Sequence, residues 1–276
     1  MQATIHQVWY QGEDALPPKY RGPRDKLRRM NPEWQYILWD DKSLRRLCRR
    51  YGYEDAYDAG KIMHQRIDFG RYVALLAYGG ISIDMDTDSL RPLRHFVDEF
   101  KPSKLGVTLS SANALESSIM YLRPASRFYN NATIVCPRPN MPEMRTVCDH
   151  MAKLLRAQRK SVFLRHMPES IQIQRTTGPL AFTDAINSVR HDRVEFIPAE
   201  VFEPCIGFDK ACSPDPNKSI THHMHDGTWH SFGPLFVEYY WVKRRLPFIV
   251  CLLLLALFVF RVYKNGRRNS INILRT

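Results

Sequence analysis

Apolar residues between Ala3 and Pro198 come in short bursts whose spacing switches between two and about three and a half, which predicts strands alternating with helices. ATIHQVWY (3–10) and WQYILWDD (34–41) read as strands, separated by the Pro-rich, basic stretch PPKYRGPRDKLRRMNP (17–32). KSLRRLCRRYG (42–52) reads as a short helix ending at Gly52. A longer helix runs from about Lys61 to Ala77 and is stopped by Gly79 and Gly80, where a left-handed cap suits glycine. The strand ISID (81–84) follows at once. Downstream, KLGVTLS (104–110), SSIMYL (117–122) and RVEFIP (193–198) are strand candidates. In MPEMRTVCDHMAKLLRAQR (141–159), Met144, Val147, Cys148, Met151, Leu154 and Leu155 recur at helical spacing and read as a core stripe. A further helix opens at TTGPLAFTDAINSV (176–189), with Pro179 in its first turn. The alternation predicts an α/β fold with a largely parallel sheet, in which ligands bind beyond the carboxyl ends of the strands.

YGGISIDMDTD (78–88) puts chemistry at such an end, because the strand runs straight into Asp84, Asp86 and Asp88. Strand side chains alternate, so Asp84 and Asp86 share a face about 7 Å apart. Unpaired carboxylates that close raise each other's pKa, and a bound cation relieves the conflict. On the preceding helix Asp68 and Arg71 lie three apart, with Tyr72 beside them. They are either a surface ion pair or residues looking into the same crevice.

Composition changes the picture mainly at the C-terminus. The net charge is +12, and from Lys243 to Thr276 there are eight basic residues and no acidic one, so two-thirds of the excess sits there. No nucleic-acid motif accompanies it, and no nucleic-acid partner is expected. The same tail holds LPFIVCLLLLALFVF (246–260), flanked by Tyr239, Tyr240, Trp241 and Tyr263. With Arg261 snorkelling, residues 246–263 form an expected membrane helix. The expected organisation is a folded domain over 1–242, which the resemblance given below implies is catalytic, and a membrane segment with basic flanks over 243–276. MQATIHQVWY lacks the charged and apolar regions of a secretion signal. The six cysteines show no C-x-x-C and predict neither a zinc site nor a disulfide framework. Sequons stand at Asn131 and Asn217.

RIDFGRYVALLAYGGISIDMD (66–86) resembles the D-x-x-R-Y…GG-x-x-x-D-x-D core of the DXD-containing sugar transferases, glycosyltransferase family 32. IHQVW and NPEWQYILWDD are similar to that family's first two strands. TTGPLAFTDAI resembles the TGP…TD segment of its yeast-type mannosyltransferases, and HMHDGTWH (223–230) resembles its H-x-x-x-G-[ST]-W closing motif. The blocks occur in family order from Ile5 to Trp229. Ser82, in place of an aromatic residue, Ile67, in place of a small one, and the missing N-terminal anchor depart from the pattern.

The resemblance implies a GT-A type fold, a nucleotide-sugar donor and a divalent metal, Mn2+ or Mg2+. It implies Asp86 as direct metal ligand and Asp84 on the ribose or the metal's water shell, the pair forming the catalytic centre, with His223 as third ligand. Asp68, Arg71 and Tyr72 are then expected on the donor's sugar and phosphates, Trp9 and Asp40 near the nucleotide, and Thr228 and Trp229 in the closing segment on the donor. It implies retention of configuration, and no residue stands out as a covalent nucleophile. GDP-mannose is the first donor to test and a UDP-hexose the second. A crevice tethered to the bilayer through residues 230–245, at most about 55 Å when extended, favours a lipid-linked acceptor such as inositol phosphoceramide and an ER- or Golgi-type endomembrane. The competing readings are a metal-dependent phosphohydrolase, which needs carboxylates from several strand ends, and a catalytically silent sugar-nucleotide or glycan binder.

Overall fold

In the computed structural model the described residues are 3–111, 127–161, 167–205, 212–226, 250, 253–257 and 261. Six strands form the main sheet: β1 (Thr4–Val8), β2 (Gln35–Trp39), β3 (Gly80–Ile83), β5 (Leu105–Leu109), β6 (Tyr129–Cys136) and β7 (Val194–Ile197), in the order β2-β1-β3-β6-β5-β7. All are parallel to their neighbours except β6, which runs antiparallel to β3 and β5. The sheet is therefore mixed but mostly parallel. β4 (Thr87–Ser89) and β8 (Thr221–His223) form a separate antiparallel pair, with Thr87 opposite His223.

Helices cover one face: α2 (Asp41–Arg50), α3 (Glu54–Ala59), α4 (Met63–Tyr78), α6 (Pro142–Lys160) and α8 (Pro179–Ser188). Their apolar stripes meet Leu105, Val107, Ile134 and Cys136 of the sheet in one core cluster. The alternate strand residues Ile5, Ile81, Ile83 and Val135 face a second cluster with Leu27, Leu93 and Phe202. Period-two alternation thus splits one sheet between two cores. The stripe Met144, Val147, Cys148, Met151 and Leu155 on α6 is buried core, as its spacing predicts.

The end of α4 sets the position of β3. Gly79 and Gly80 have φ of 66° and 96°. A Cβ on Gly80 would lie 2.2 Å from the Thr4 carbonyl oxygen, so the chain turns there against β1 with no room for a side chain.

Two segments differ from the sequence expectation. Pro18–Met30 is a helix, α1, not an irregular connection. Pro18 occupies its first turn, where the missing N–H costs nothing, and Tyr20 and Leu27 supply a narrow buried stripe under a basic exterior. β6 was not anticipated, because two asparagines interrupt the apolar run of YNNATIVC. The expected strand at 117–122 lies outside the described residues.

The chain divides into two compact units, Met1–Ser231 and Phe232–Thr276. In the second, Val250, Leu253–Leu257 and Arg261 are helical and exposed. Among the described residues no helix is long and apolar enough to cross a membrane, so the expected span is not found there. Most of 246–263 lies outside the described residues.

One cysteine expectation is corrected. Cys205 and Cys212 form a disulfide, while Cys48, Cys136 and Cys148 are free and buried. A single bridge closing a seven-residue separation leaves no framework spacing in the sequence to detect.

Candidate active site

The strand ladder continues one step past β3, through Asp84 N–H donating to the Ala132 carbonyl at 3.0 Å. Gln7 Nε2 donates to the Asp84 carbonyl at 3.0 Å, and Tyr36 Oη donates to Gln7 Oε1 at 2.8 Å. Met85 turns into a small cluster with Leu16 and Tyr20, against which Trp9 packs. Burying Met85 leaves Asp84 and Asp86 together on the other side, in the turn between β3 and β4 rather than along a strand. Asp86 is fixed at its backbone by Met224 N–H, 2.7 Å from its carbonyl.

Each carboxylate has a basic side chain beside it. Asp84 is paired with the Arg71 guanidinium. Asp86 Oδ1 lies 3.1 Å from His223 Nε2, and its Oδ2 accepts the Asp226 N–H at 2.9 Å. The second oxygen of Asp84 faces the same His223 nitrogen at 3.9 Å. Burial works to raise the Asp86 pKa, but the hydrogen bond and charge of His223 and the Asp226 N–H hold it well below the usual carboxylate range. Burial also pushes Asp84 up, with Arg71 opposing and Asp86 adding to the rise. Burial opposes protonation of His223, yet Asp86 and Glu203 raise it well above its ordinary value.

Arg71 and Tyr72 are buried beside the carboxylates. Arg71 is 5% exposed. Its Nη1 donates to the Asn131 carbonyl at 2.6 Å, and its Nη2 lies 3.9 Å from Asp68. Tyr72 is fully buried and stacks on Phe182 with ring centroids 5.6 Å apart. Its hydroxyl donates to the Thr177 carbonyl at 2.7 Å and accepts from Asn131 Nδ2 at 2.9 Å. Asp68 accepts from Asn131 Nδ2 at 3.3 Å and from Thr177 Oγ1 at 3.2 Å. Burial raises its pKa to about 7, with Arg71 pulling the other way. The simple surface pair is excluded, because Arg71 and Tyr72 are buried and Asp68 is largely covered in the same network.

Trp9 and Asp40 stand at the carboxyl ends of β1 and β2, the ligand end of the sheet. The Trp9 indole donates to the Ala15 carbonyl at 3.0 Å and its ring lies 5.3 Å from that of Tyr20. Asp40 caps α2: its Oδ1 accepts Ser43 N–H at 2.7 Å, in a capping box with the Ser43 side chain. Its carboxylate has a structural employment the sequence reading passed over, although D-x-x-S before an apolar helix is a capping signal. Thr228 and Trp229 lie outside the described residues.

Residues missed from sequence include Asn131, Thr177 and Glu203. Thr177 lies in the TTGP block, and in the sequence Asn131 signals itself only as a sequon. The structure removes that sequon as a surface feature, since Asn131 is buried with its amide committed, whereas Asn217 is exposed. Glu203 carried no signal at all.

Asp84, Asp86 and His223 each offer a ligand atom, all within 4.8 Å of one another. Two carboxylates and an imidazole suit Mn2+ or Mg2+ better than a thiophilic ion. Nε2 of His223 faces both carboxylates while its buried Nδ1 has no hydrogen-bond partner, so Nε2 is the atom placed to ligate once the ring is neutral. The residues present fit a divalent cation.

Residues 17–105 match the family model described as "Glycosyltransferase sugar-binding region containing DXD motif". The chain is 26% identical to the "Uncharacterized glycosyltransferase L373" of Acanthamoeba polyphaga mimivirus over 82% of each chain. It is 34% identical over 97 residues to "Inositol phosphoceramide mannosyltransferase 3" of Schizosaccharomyces pombe, covering 33% of this chain and 27% of that protein. It is 33% identical over 91 residues to "Mannosyl phosphorylinositol ceramide synthase SUR1" of Saccharomyces cerevisiae, covering 32% and 23%. The chain thus spans about a quarter of the length of these two yeast relatives. Among solved structures it resembles mouse xyloside xylosyltransferase 1 with a TM-score of 0.47 at 12% identity, over 81% of this chain and 98% of that one, a likeness that decides nothing by itself.

Proposed function

We propose, from the match of residues 17–105 to the sugar-binding region of DXD-containing glycosyltransferases and the likeness to a glycosyltransferase over 82% of the chain, a metal-dependent, retaining hexosyltransferase of GT-A type. The observation that carries the reading is the convergence of Asp84, Asp86 and His223 just beyond the carboxyl end of β3. That is where a mostly parallel sheet receives a ligand. Asp84, Asp86 and His223 would hold a divalent cation, which would supply Lewis-acid stabilisation to the diphosphate leaving group of a nucleotide sugar. The protein's own part is orientation. Arg71, backed by Asp68, Asn131 and Thr177, fixes Asp84, while Asp226 N–H and His223 fix Asp86. Trp9, at the end of β1, lies on the side where the nucleotide is expected. With the nearby carboxylates engaged by Arg71 and His223, front-face attack is favoured, the departing phosphate taking the acceptor's proton.

GDP-mannose is the first donor, supported by the names of the yeast relatives, and a UDP-hexose is second. The acceptor is a membrane glycolipid of the inositol phosphoceramide class, on an endomembrane, supported by those names and by the unbroken apolar run Phe248–Phe260. The phosphohydrolase alternative gains no support. The second group able to hold a metal among the described residues, Glu203, His223 and His225, shares His223 with the first.

The test incubates the full chain with GDP-mannose, UDP-galactose and UDP-glucose, with Mn2+, Mg2+ or chelator, read by mass spectrometry. Acceptors are inositol phosphoceramide in vesicles and soluble mannosides. Metal-dependent transfer to the lipid is expected. Transfer only to a soluble acceptor overturns the lipid assignment, attack on many phosphate esters returns the hydrolase, and neither transfer nor donor hydrolysis returns the silent binder.

A further inference from the structure

Beyond His223, on the side away from the paired aspartates, lies a carboxylate with no part in the reading above. Glu203 follows α9 (Ala199–Phe202), and its side chain is completely buried. Its Oε2 accepts from Asn130 Nδ2. Its Oε1 has no hydrogen-bond partner and faces the equally partnerless Nδ1 of His223 at 3.9 Å. Two buried polar atoms left unmade side by side cost free energy that a small approach would recover.

The surroundings hold the two residues to each other. Three consecutive residues entering β8 bond to the α9 backbone: Ser219 Oγ to the Glu200 carbonyl at 2.7 Å, Ile220 N–H to Val201 at 2.7 Å, and Thr221 Oγ1 to Phe202 at 2.8 Å. Beyond Glu203, the Cys205 carbonyl lies 3.0 Å from His225 Nε2, and Cys205 is tied to Cys212. Glu203 is thus stitched to the strand carrying His223 from both directions.

Glu203, His223 and His225 also form a group with metal-ligand spacing. A separate cation there would need Nδ1 of His223 while the first site needs its Nε2, and a neutral imidazole has a single lone pair. Moreover, Asn130 already occupies one Glu203 oxygen, and the Cys205 carbonyl one His225 nitrogen. The donor set serves one cation, and Glu203 serves the histidine.

We propose that Glu203 is a positioning residue: it accepts the Nδ1–H of His223 and so fixes the tautomer that presents Nε2 to a divalent cation shared with Asp84 and Asp86. The inference rests on the cation reading of the site. It adds a buried carboxylate behind the imidazole, the arrangement that orients and strengthens histidine ligands generally.

Mn2+ is titrated into the full chain by calorimetry, with electron paramagnetic resonance counting free Mn2+. Glu203→Met, similar in length but without an acceptor, is expected to weaken Mn2+ binding about 10–100-fold. Glu203→Gln should restore part of the loss. In a His223→Ala background, Glu203→Met should weaken residual binding no further, which a merely structural role does not predict. A measurement on the wild type stands even where a variant fails to fold. With 15N-labelled histidine and saturating Mg2+, Nδ1 of His223 is expected to be the protonated, pyrrole-type nitrogen. Wild-type Mn2+ affinity in Glu203→Met, or an unprotonated Nδ1 in the Mg2+ form, overturns the inference while leaving the cation reading intact. Absence of Mn2+ binding by the wild type instead removes the cation reading and the inference with it.

Discussion

Asp84 stands between two polar regions built from similar residue types and completed very differently. On its α4 side, Asp68, Arg71, Tyr72, Asn131 and Thr177 form a buried network in which only Arg71 Nε lacks a partner. On its β8 side, Thr87 Oγ1, Ser89 Oγ, His223 Nδ1 and Glu203 Oε1 are all buried without one. Buried groups are normally paired, and a group left open calls for an ion, a water or a ligand. A completed network specifies a position, whereas on the β8 side Glu203 Oε1 and His223 Nδ1 face each other at 3.9 Å behind the Nε2 that meets Asp84 and Asp86. The α4 side therefore reads as scaffold and the β8 side as the working face, with one aspartate oxygen turned toward each.

The strongest way to break that contrast is Asp86→Ala. Donor turnover should fall by at least about 10³-fold, the scale of losing a principal electrostatic element. The stability of the metal-free protein should fall as well, by roughly 3 kcal/mol in urea unfolding, because His223 is left buried without its partner. Full turnover, or a stability gain from relieved repulsion, contradicts the pairing described here.

Arg71→Ala tests the scaffold. Leaving Asp84 and Asp68 buried without their cation should cost about 3–5 kcal/mol, read from the urea midpoint. A loss of donor affinity by calorimetry with stability unchanged would return Arg71 to the crevice.

His6 provides a control among completed groups elsewhere in the sheet. Its Nε2 reaches the Gly79 carbonyl at 2.7 Å and its Nδ1 accepts from Trp39 Nε1 at 3.0 Å, which suits the neutral ring. Burial lowers its pKa to about 4, against the hydrogen bond to Gly79. With the folded value below the unfolded 6.5, the unfolded chain binds the proton first, so this contribution is whole above about pH 6.5 and lost as pH falls toward 4. The loss should reach about 3 kcal/mol. His6→Gln should flatten that segment of the stability–pH curve, and an unchanged slope counts against the assignment.

Tyr72→Phe is the mildest probe. Removing a hydroxyl that serves Asn131 and Thr177 should cost about 1 kcal/mol and leave donor affinity unchanged, sharpening its place in the core. Weakened donor binding at unchanged stability would restore it as a contact.

The helices α4 and α6, the glycine stop and the aspartates beyond β3 were all legible in the chain, because each depends on neighbours within a few residues. Apolar spacing chooses a buried face, Gly79 and Gly80 permit a backbone that other residues resist, and the strand ISI delivers Asp84 and Asp86 to the turn at its end. The same local logic misread α1, whose stripe needed only Tyr20 and Leu27, and passed over β6, whose asparagines are tolerable in a strand only because Asp68, Tyr72 and Glu203 meet them.

What the sequence determined by itself is which residues can carry charge, and where along the chain a strand delivers them. Only the tertiary structure decided how those charges are used. Arg71 points inward because β6 brings the Asn131 carbonyl to it, Tyr72 belongs to the core because Phe182 lies flat against it, and Glu203 gains a role because β8 and α9 are laced together. Pairings across 19 to 137 residues depend on which surfaces pack, and no local pattern encodes them.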